Sequence, residues 1–199
     1  MSVRLYVEGG GRSALKGDCR AGFKNYLKKA GIPERSFKVI ACGSRNSAFK
    51  MFCTALRQYG VSPYILLLVD SEGPVSNGLW HHVAMRPGDN WQKPPSATED
   101  NLHFMIQCME AWFISDPSRL SSYYGKGFRV ASLPKNRQIE QIQKVDILRG
   151  LEAATRDTAK GTYNKGSHSF DILALIDPNN VAMASQFAKR LIATISRHI

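Results

Sequence analysis

Along the first 125 residues, short apolar runs alternate with stretches whose apolar residues recur every three or four positions. Residues 3–7, 37–42 and 64–69 read as strands. The third is apolar without alternation, as expected of a parallel strand buried on both faces. Between them, Leu15, Cys19, Phe23 and Leu27 form one helical stripe, and Ala48, Phe52, Ala55 and Tyr59 a second. Ser44 or Ser47 is placed to cap the second helix and Gly60 to stop it. The pattern predicts a βαβαβ unit, and right-handed crossovers make its sheet parallel.

Residues 73–100 interrupt this rhythm with Pro74, Pro87, Pro94 and Pro95; a short helix over 79–85 is the one element suggested there. A fourth buried strand is expected over 102–108, followed by helices at 111–114 and 117–124. The last third reads as helical. Asp146 is positioned to cap a helix reaching 154, Ser169 one reaching 176, and Pro178 to open a final helix with Val181, Ala184, Phe187, Leu191 and Ile195 inward. The expected architecture is an α/β core over 1–125, with an open, mainly parallel four-stranded sheet flanked by helices. A helical part over 126–199 packs on it within one compact domain.

Composition narrows the class. Of 199 residues, 43% are hydrophobic and 22% charged, values of an ordinary soluble globular chain. No apolar run approaches the roughly 20 residues that cross a bilayer, so no membrane contact is expected. No basic segment followed by an apolar stretch opens the chain, so no secretory signal is expected. Cys19, Cys42, Cys53 and Cys108 are scattered and form no Cys-x-x-Cys pair. They suit reduced core residues of a cytoplasmic protein better than zinc ligands or disulfides. Lys and Arg number 27 against 16 Asp and Glu, a formal charge of +11. Such an excess favours a polyanionic partner, nucleic acid first and an acidic protein surface second; solubility alone is the plainer account.

The chemistry concentrates at strand ends. Glu8 follows the first strand, and Asp70 and Glu72 follow the third. Open α/β sheets bind ligands at that edge. Strand-end acids often only cap helices, but gathered carboxylates are costly without a cation. An oxygen-only set suits a hard ion, Mg²⁺ or Mn²⁺. In an extended backbone, Asp70 and Glu72 leave on the same side and share one ion. Glu110, close behind the fourth strand, is placed to reach a second ion, whereas Asp116 before Pro117 reads as a helix cap. Gly9-x-Gly11-x-x-Ala14 fits the loose dinucleotide fingerprint. Against that stand Glu8, which would face a pyrophosphate, and a second strand ending in Cys42-Gly43-Ser44 with no acid for a ribose. The glycines better serve a tight turn that lets a phosphate approach. Lys16, Arg20, Lys24 and Lys28 form one ridge at four-residue spacing; repulsion along it is relieved by phosphate contact or by solvent. Lys165-Gly166-Ser167-His168 is a polar cluster ahead of an apolar run, with His168 a phosphate donor, an acid–base group or a backbone-bonded helix-start residue. His81-His82 is a poorer pair, because adjacent helical residues diverge by about 100°.

Strand-Glu8-Gly-Gly-Gly, Asp70-Ser71-Glu72-Gly73-Pro74, Met109-Glu110-Ala111-Trp112-Phe113 and Lys165-Gly166-Ser167-His168-Ser169-Phe170 together resemble bacterial proteins grouped as domain of unknown function 4276. That group is similar to a branch of the Toprim fold found in topoisomerases, primases and overcoming-lysogenization-defect (OLD) nucleases. The resemblance implies a Toprim-like fold in which Glu8, Asp70 and Glu72 hold Mg²⁺ for phosphodiester chemistry, Glu72 standing where the pattern has an aspartate. It also implies an ATPase partner of the SMC or AAA type and a place in phage defence. The expectation is a Mg²⁺-dependent nuclease. Asp70 and Glu72 would bind the ion, Glu8 would bind a second ion or shuttle a proton, Glu110 would reach a second ion, Lys165 and His168 would neutralise the scissile phosphate, and Lys16, Arg20, Lys24 and Lys28 would hold the backbone. The rival expectations are a non-catalytic Toprim-like module that binds an ATPase or nucleic acid, and a phosphohydrolase of small substrates.

Overall fold

In a computed structural model that describes residues 2–11, 13–60 and 62–199, four strands form one parallel sheet. They are β1 (Val3–Val7), β2 (Phe37–Ala41), β3 (Tyr64–Asp70) and β4 (Leu102–Met105), in the order β2-β1-β3-β4. Val7 lies opposite Ala41 on one side and Leu68 on the other, and Asp70 opposite Met105. This register aligns the strands' C-terminal ends, so the residues that follow them share one edge.

Helices α1 (Ser13–Lys29) and α2 (Arg45–Gln58) make the first two crossovers, and α3 (Leu79–Met85) lies between β3 and β4. After β4 come α4 (Glu110–Ile114), α5 (Pro117–Tyr124), α6 (Lys144–Thr155), α7 (Lys165–Leu175), α8 (Pro178–Ala184) and α9 (Gln186–Arg197). Successive residues of β1 and β3 feed opposite faces. Leu5, Val7, Leu66 and Leu68 join Phe23 and Trp112 on one side; Tyr6, Ile65, Leu67 and Val69 join Phe52 and Trp80 on the other. The four-stranded α/β sheet flanked by helices is as the apolar pattern predicts, and the unalternated β3 is buried from Ile65 onward. Among the described residues no helix is long and apolar enough to cross a membrane.

Several boundaries differ from expectation, each through a polar bond that periodicity does not report. Strand β4 stops at Met105 rather than 108, because the chain turns to deliver the Met109 N–H to Asp70 Oδ1 at 2.8 Å. Helix α6 begins at Lys144, which leaves Asp146 inside the first turn rather than at the cap. Asn164, not Ser169, caps α7 by accepting the Gly166 N–H at 2.9 Å; the Ser169 hydroxyl donates instead to the Lys165 carbonyl at 2.6 Å. The expected final helix is two helices that break at Ser185. Its Oγ accepts from the Ala188 N–H at 3.0 Å and donates to Glu140 Oε1 at 2.6 Å.

The helical last third completes the core on the α1 face. Ile172 and Leu173 of α7 and Leu191 and Ile195 of α9 are buried with Phe23 and Leu27 of α1. Helix α7 crosses α1 at Gly22, where a Cβ would lie 2.8 Å from the Phe170 carbonyl oxygen. The contact is with backbone, so it cannot be relieved by a side-chain rotation.

Gly22→Ala should therefore lower stability by about 1–3 kcal/mol through overpacking, although alanine is the better helix former by about 1 kcal/mol. Urea unfolding measures the difference. A stabilised variant would show that α7 does not press on α1 at this point.

Candidate active site at the carboxyl edge of the sheet

The edge of the sheet is shaped first by glycine. Just beyond β1 and β2, Gly9 and Gly43 exchange two backbone hydrogen bonds of 2.9 and 2.8 Å, which tie the two loops together. Gly10 has φ +73°, and a Cβ there would lie 2.7 Å from the Lys16 Cα. No side chain fits, so backbone borders the hollow directly. That hollow is a pocket of about 270 Å³, with Gly9 to Gly11 on one side and Asp70, Met109, Lys165 and Phe170 among its walls.

Glu8 and Asp70 line it, and the buried Glu110 of α4 reaches the same Lys165. Glu8 follows β1, and its N–H donates to the Leu68 carbonyl at 3.1 Å. Asp70 ends β3. Its Oδ1 accepts from the Met109 N–H, and its Oδ2 lies 3.3 Å from Lys165 Nζ. Glu110 opens α4 and is wholly buried. Its Oε1 accepts from the Tyr163 hydroxyl at 2.8 Å and lies 3.5 Å from Lys165 Nζ, while its Oε2 has no partner among the described residues.

These placements fix the electrostatics. Burial pushes the Asp70 carboxyl up to about 7; Glu110 and Glu8 push the same way, and Lys165 opposes. Burial also raises Glu8, against Arg45 and Lys165. Burial acts to lower Lys165, but Asp70 and Glu110 outweigh it and hold the ammonium charged well above its usual range. Burial and the neighbouring Glu110 raise the Tyr163 phenol, which keeps it a neutral donor.

Arg45 is a site residue that the sequence reading missed. Its Nε and Nη2 grip Asp89 at 2.8 and 2.7 Å, its Nη1 donates to the Asp70 carbonyl and lies 3.4 Å from Glu8 Oε2, and its guanidinium sits 4.9 Å from the Trp91 ring centre. Asp89 is nearly inaccessible and also takes Arg86 at 2.9 Å. The signal was present: Arg45 follows the end of β2, so the edge rule that selects Glu8 and Asp70 selects it too. Tyr163 was missed as well, because nothing in the local pattern pairs it with a residue 53 positions away.

Of the predicted residues, the structure brings Asp70, Glu110 and Lys165 together, and Glu8 lines the same pocket as Asp70 and Lys165. Glu72 differs from expectation in its geometry. Strand β3 ends at Asp70 and Glu72 has φ +64°, so the extended geometry that would align both acids is absent. The Glu72 carboxylate instead takes Lys144 Nζ at 2.6 Å and borders a separate hollow with Gly73 and Gln107. His168 is not delivered to the carboxylates either. Its Nδ1 accepts from the Asn164 N–H at 3.2 Å and faces the Tyr124 hydroxyl at 3.1 Å, with its ring edge-on to Tyr123 and Tyr124. This is the backbone-bonded alternative, three residues around α7 from Lys165. The basic ridge is partly self-satisfied. Lys24 and Lys28 both clamp Glu34, the latter at 2.8 Å, and their hydrogen bonds hold its carboxyl down near 2. Lys16 lies beside the glycine turn and Arg20 is exposed. Asp116 caps α5, as expected, and also accepts the Asp177 N–H at 2.9 Å. The four cysteines are free thiols.

Among the described residues, no three His, Cys, Asp or Glu side chains stand grouped as a ready metal cage. The donor set nonetheless suits a hard cation. It is all oxygen, and it includes a buried carboxylate oxygen that nothing else satisfies. What stands among the acids is the Lys165 ammonium.

The family model described as Domain of unknown function (DUF4276) matches residues 7–196 of the chain. No curated protein and no solved structure matches it.

The raised Asp70 carboxyl makes stability depend on pH with a definite sign. The native state holds the proton more tightly than the unfolded chain, so the Asp70 contribution is most favourable below its ordinary value of 3.8 and is lost as pH rises toward 7. In metal-free buffer Asp70→Asn should flatten that loss across the window. Denaturant titrations at both ends measure it. An unchanged slope would place the Asp70 carboxylate in water.

Proposed function

The chain belongs to the family Domain of unknown function (DUF4276), and from its site we propose a Toprim-like, Mg²⁺- or Mn²⁺-dependent enzyme that cleaves phosphodiester bonds of nucleic acid. The observation that carries this reading is the pair of buried acids, Asp70 at the end of β3 and Glu110 at the start of α4, around Lys165, with Glu8 and Asp70 lining a glycine-bordered pocket. An architecture that needed only stability would not gather these acids at such a desolvation penalty.

Asp70 and Glu110 would hold the cation, which would supply Lewis-acid stabilisation of charge developing on a phosphoryl group. The remaining work falls to the protein. The Gly9 to Gly11 backbone leaves room for a phosphate where side chains would block it. The Lys165 ammonium offsets charge on a non-bridging oxygen. Glu8, its carboxyl raised by burial, takes a proton from attacking water. Arg45, locked by Asp89, holds Glu8 and the end of β3 in place. Lys16 beside the glycine turn and a net charge of +11 draw a polyanion to this edge. An SMC- or AAA-type ATPase partner, with a role in phage defence, belongs to the same reading through the family resemblance.

One observation favours a second reading, a non-catalytic module that binds nucleic acid or a partner ATPase. The acids are already matched by protein cations, Lys165 on Asp70 and Glu110 and Arg45 on Glu8.

Cleavage of labelled single- and double-stranded DNA and RNA, with Mg²⁺ or Mn²⁺ and with EDTA, separates the two. The enzyme reading expects EDTA-sensitive cleavage that falls by at least about 100-fold in Asp70→Ala. Full activity in that variant would defeat it. Binding without cleavage under every metal condition, alone and with a neighbouring ATPase, would establish the module instead.

A further inference from the structure

Lys165 occupies an unusual position for a lysine. Its ammonium lies between two buried acids, 3.3 Å from Asp70 Oδ2 and 3.5 Å from Glu110 Oε1. Both distances exceed the 2.7–2.9 Å typical of a strong charge-assisted bond. The ammonium therefore bridges the pair without satisfying either oxygen fully. The two carboxylate side chains are 5% and 0% exposed, whereas that of Lys165 is 55% exposed. The lysine thus enters from solvent over acids that cannot leave.

The anchoring of the two sides differs in the same sense. Asp70 Oδ1 is fixed by the Met109 N–H at the end of β3, and Glu110 Oε1 by the Tyr163 hydroxyl. Lys165 is the first residue of α7 and reaches the acids on a four-carbon stem with several rotatable bonds. Beside them Glu110 Oε2 is buried with no donor at all among the described residues. A monovalent group with three donor hydrogens leaves that acceptor unused, while a dication with six or more oxygen ligands can take it.

We propose that Lys165 is a built-in counter-ion of the Asp70–Glu110 pair, which an entering divalent cation must displace, and that displacement frees its ammonium for a substrate phosphate. The inference rests on the metal-dependent reading above and gives it an order: cation first, phosphate second. Before loading, the lysine keeps two buried carboxylates from facing each other unscreened. After loading, the same charge stands at the rim of the glycine-bordered pocket where a phosphate arrives.

Mn²⁺ affinity of the full chain, followed by electron paramagnetic resonance of the free ion, tests this without any turnover. Lys165→Met removes the competing charge and should tighten Mn²⁺ binding by roughly tenfold or more, the scale on which neighbours of metal ligands act. Lys165→Arg, whose planar fork holds both carboxylates better, should weaken it. In the wild type, saturating Mg²⁺ should move the Lys165 ammonium nitrogen resonance, identified by its loss in Lys165→Met, to the position of solvated lysines. Unchanged or weaker Mn²⁺ binding in Lys165→Met, with binding still abolished by Asp70→Asn, would overturn the counter-ion role and leave the metal-dependent reading standing. No Mn²⁺ uptake by any variant would overturn that reading and this inference together.

Discussion

Everything at the functional edge follows from burying carboxylates where parallel strands end. A parallel sheet releases its chain at one rim, and here that rim receives Glu8, Asp70 and Glu110. Asp70 and Glu110 cannot retreat to water, since one closes a buried strand and the other opens a buried helix. Their charge has to be met by something brought from elsewhere in the chain. The C-terminal helices bring it: α7 starts with Lys165, and the residue ahead of its cap is Tyr163, whose hydroxyl binds Glu110. The helical last third therefore completes the site, and the close crossing of α1 and α7 at Gly22 sets how near it comes.

The same constraint sorts the excess of basic residues. Arg45 is spent on Asp89 and Glu8, Lys144 on Glu72, and Lys24 and Lys28 on Glu34. A ridge that reads along the helix as one phosphate-binding surface is thus divided. Its far half answers an acid in the turn before β2, and its near half, Lys16 and Arg20, stays beside the glycine turn and the solvent. A charge pattern on a single helix records which residues share a face; it does not record what the neighbouring loop presents to them.

How far the site was legible depended on how local each cause is. Glu8 and Asp70 could be found because strand ends are visible as apolar runs that stop, and the edge rule then applies. Glu72 does not leave on the same side as Asp70; there the rule was extended one step too far. Two residues apart means one side only while the backbone stays extended, and at Glu72 it does not. His168 sits in the right motif, on the turn after Lys165, but its Nδ1 is engaged by the Asn164 N–H and the Tyr124 hydroxyl.

The apolar periodicity alone determined the parallel α/β sheet, the two flanking crossovers and the helical last third, because burial of strands and helix faces is written in spacing. The glycine turn was equally readable, since positive φ and close backbone approach leave few other residues possible. Only the tertiary structure decided that Arg45, Tyr163 and Lys165 meet the strand-end acids, that Glu72 and His168 do not, and that Ser185 splits the last helix. Those outcomes rest on hydrogen bonds and ion pairs between residues tens of positions apart. Such bonds depend on angles and distances of an ångström or two, and no one-dimensional pattern carries them.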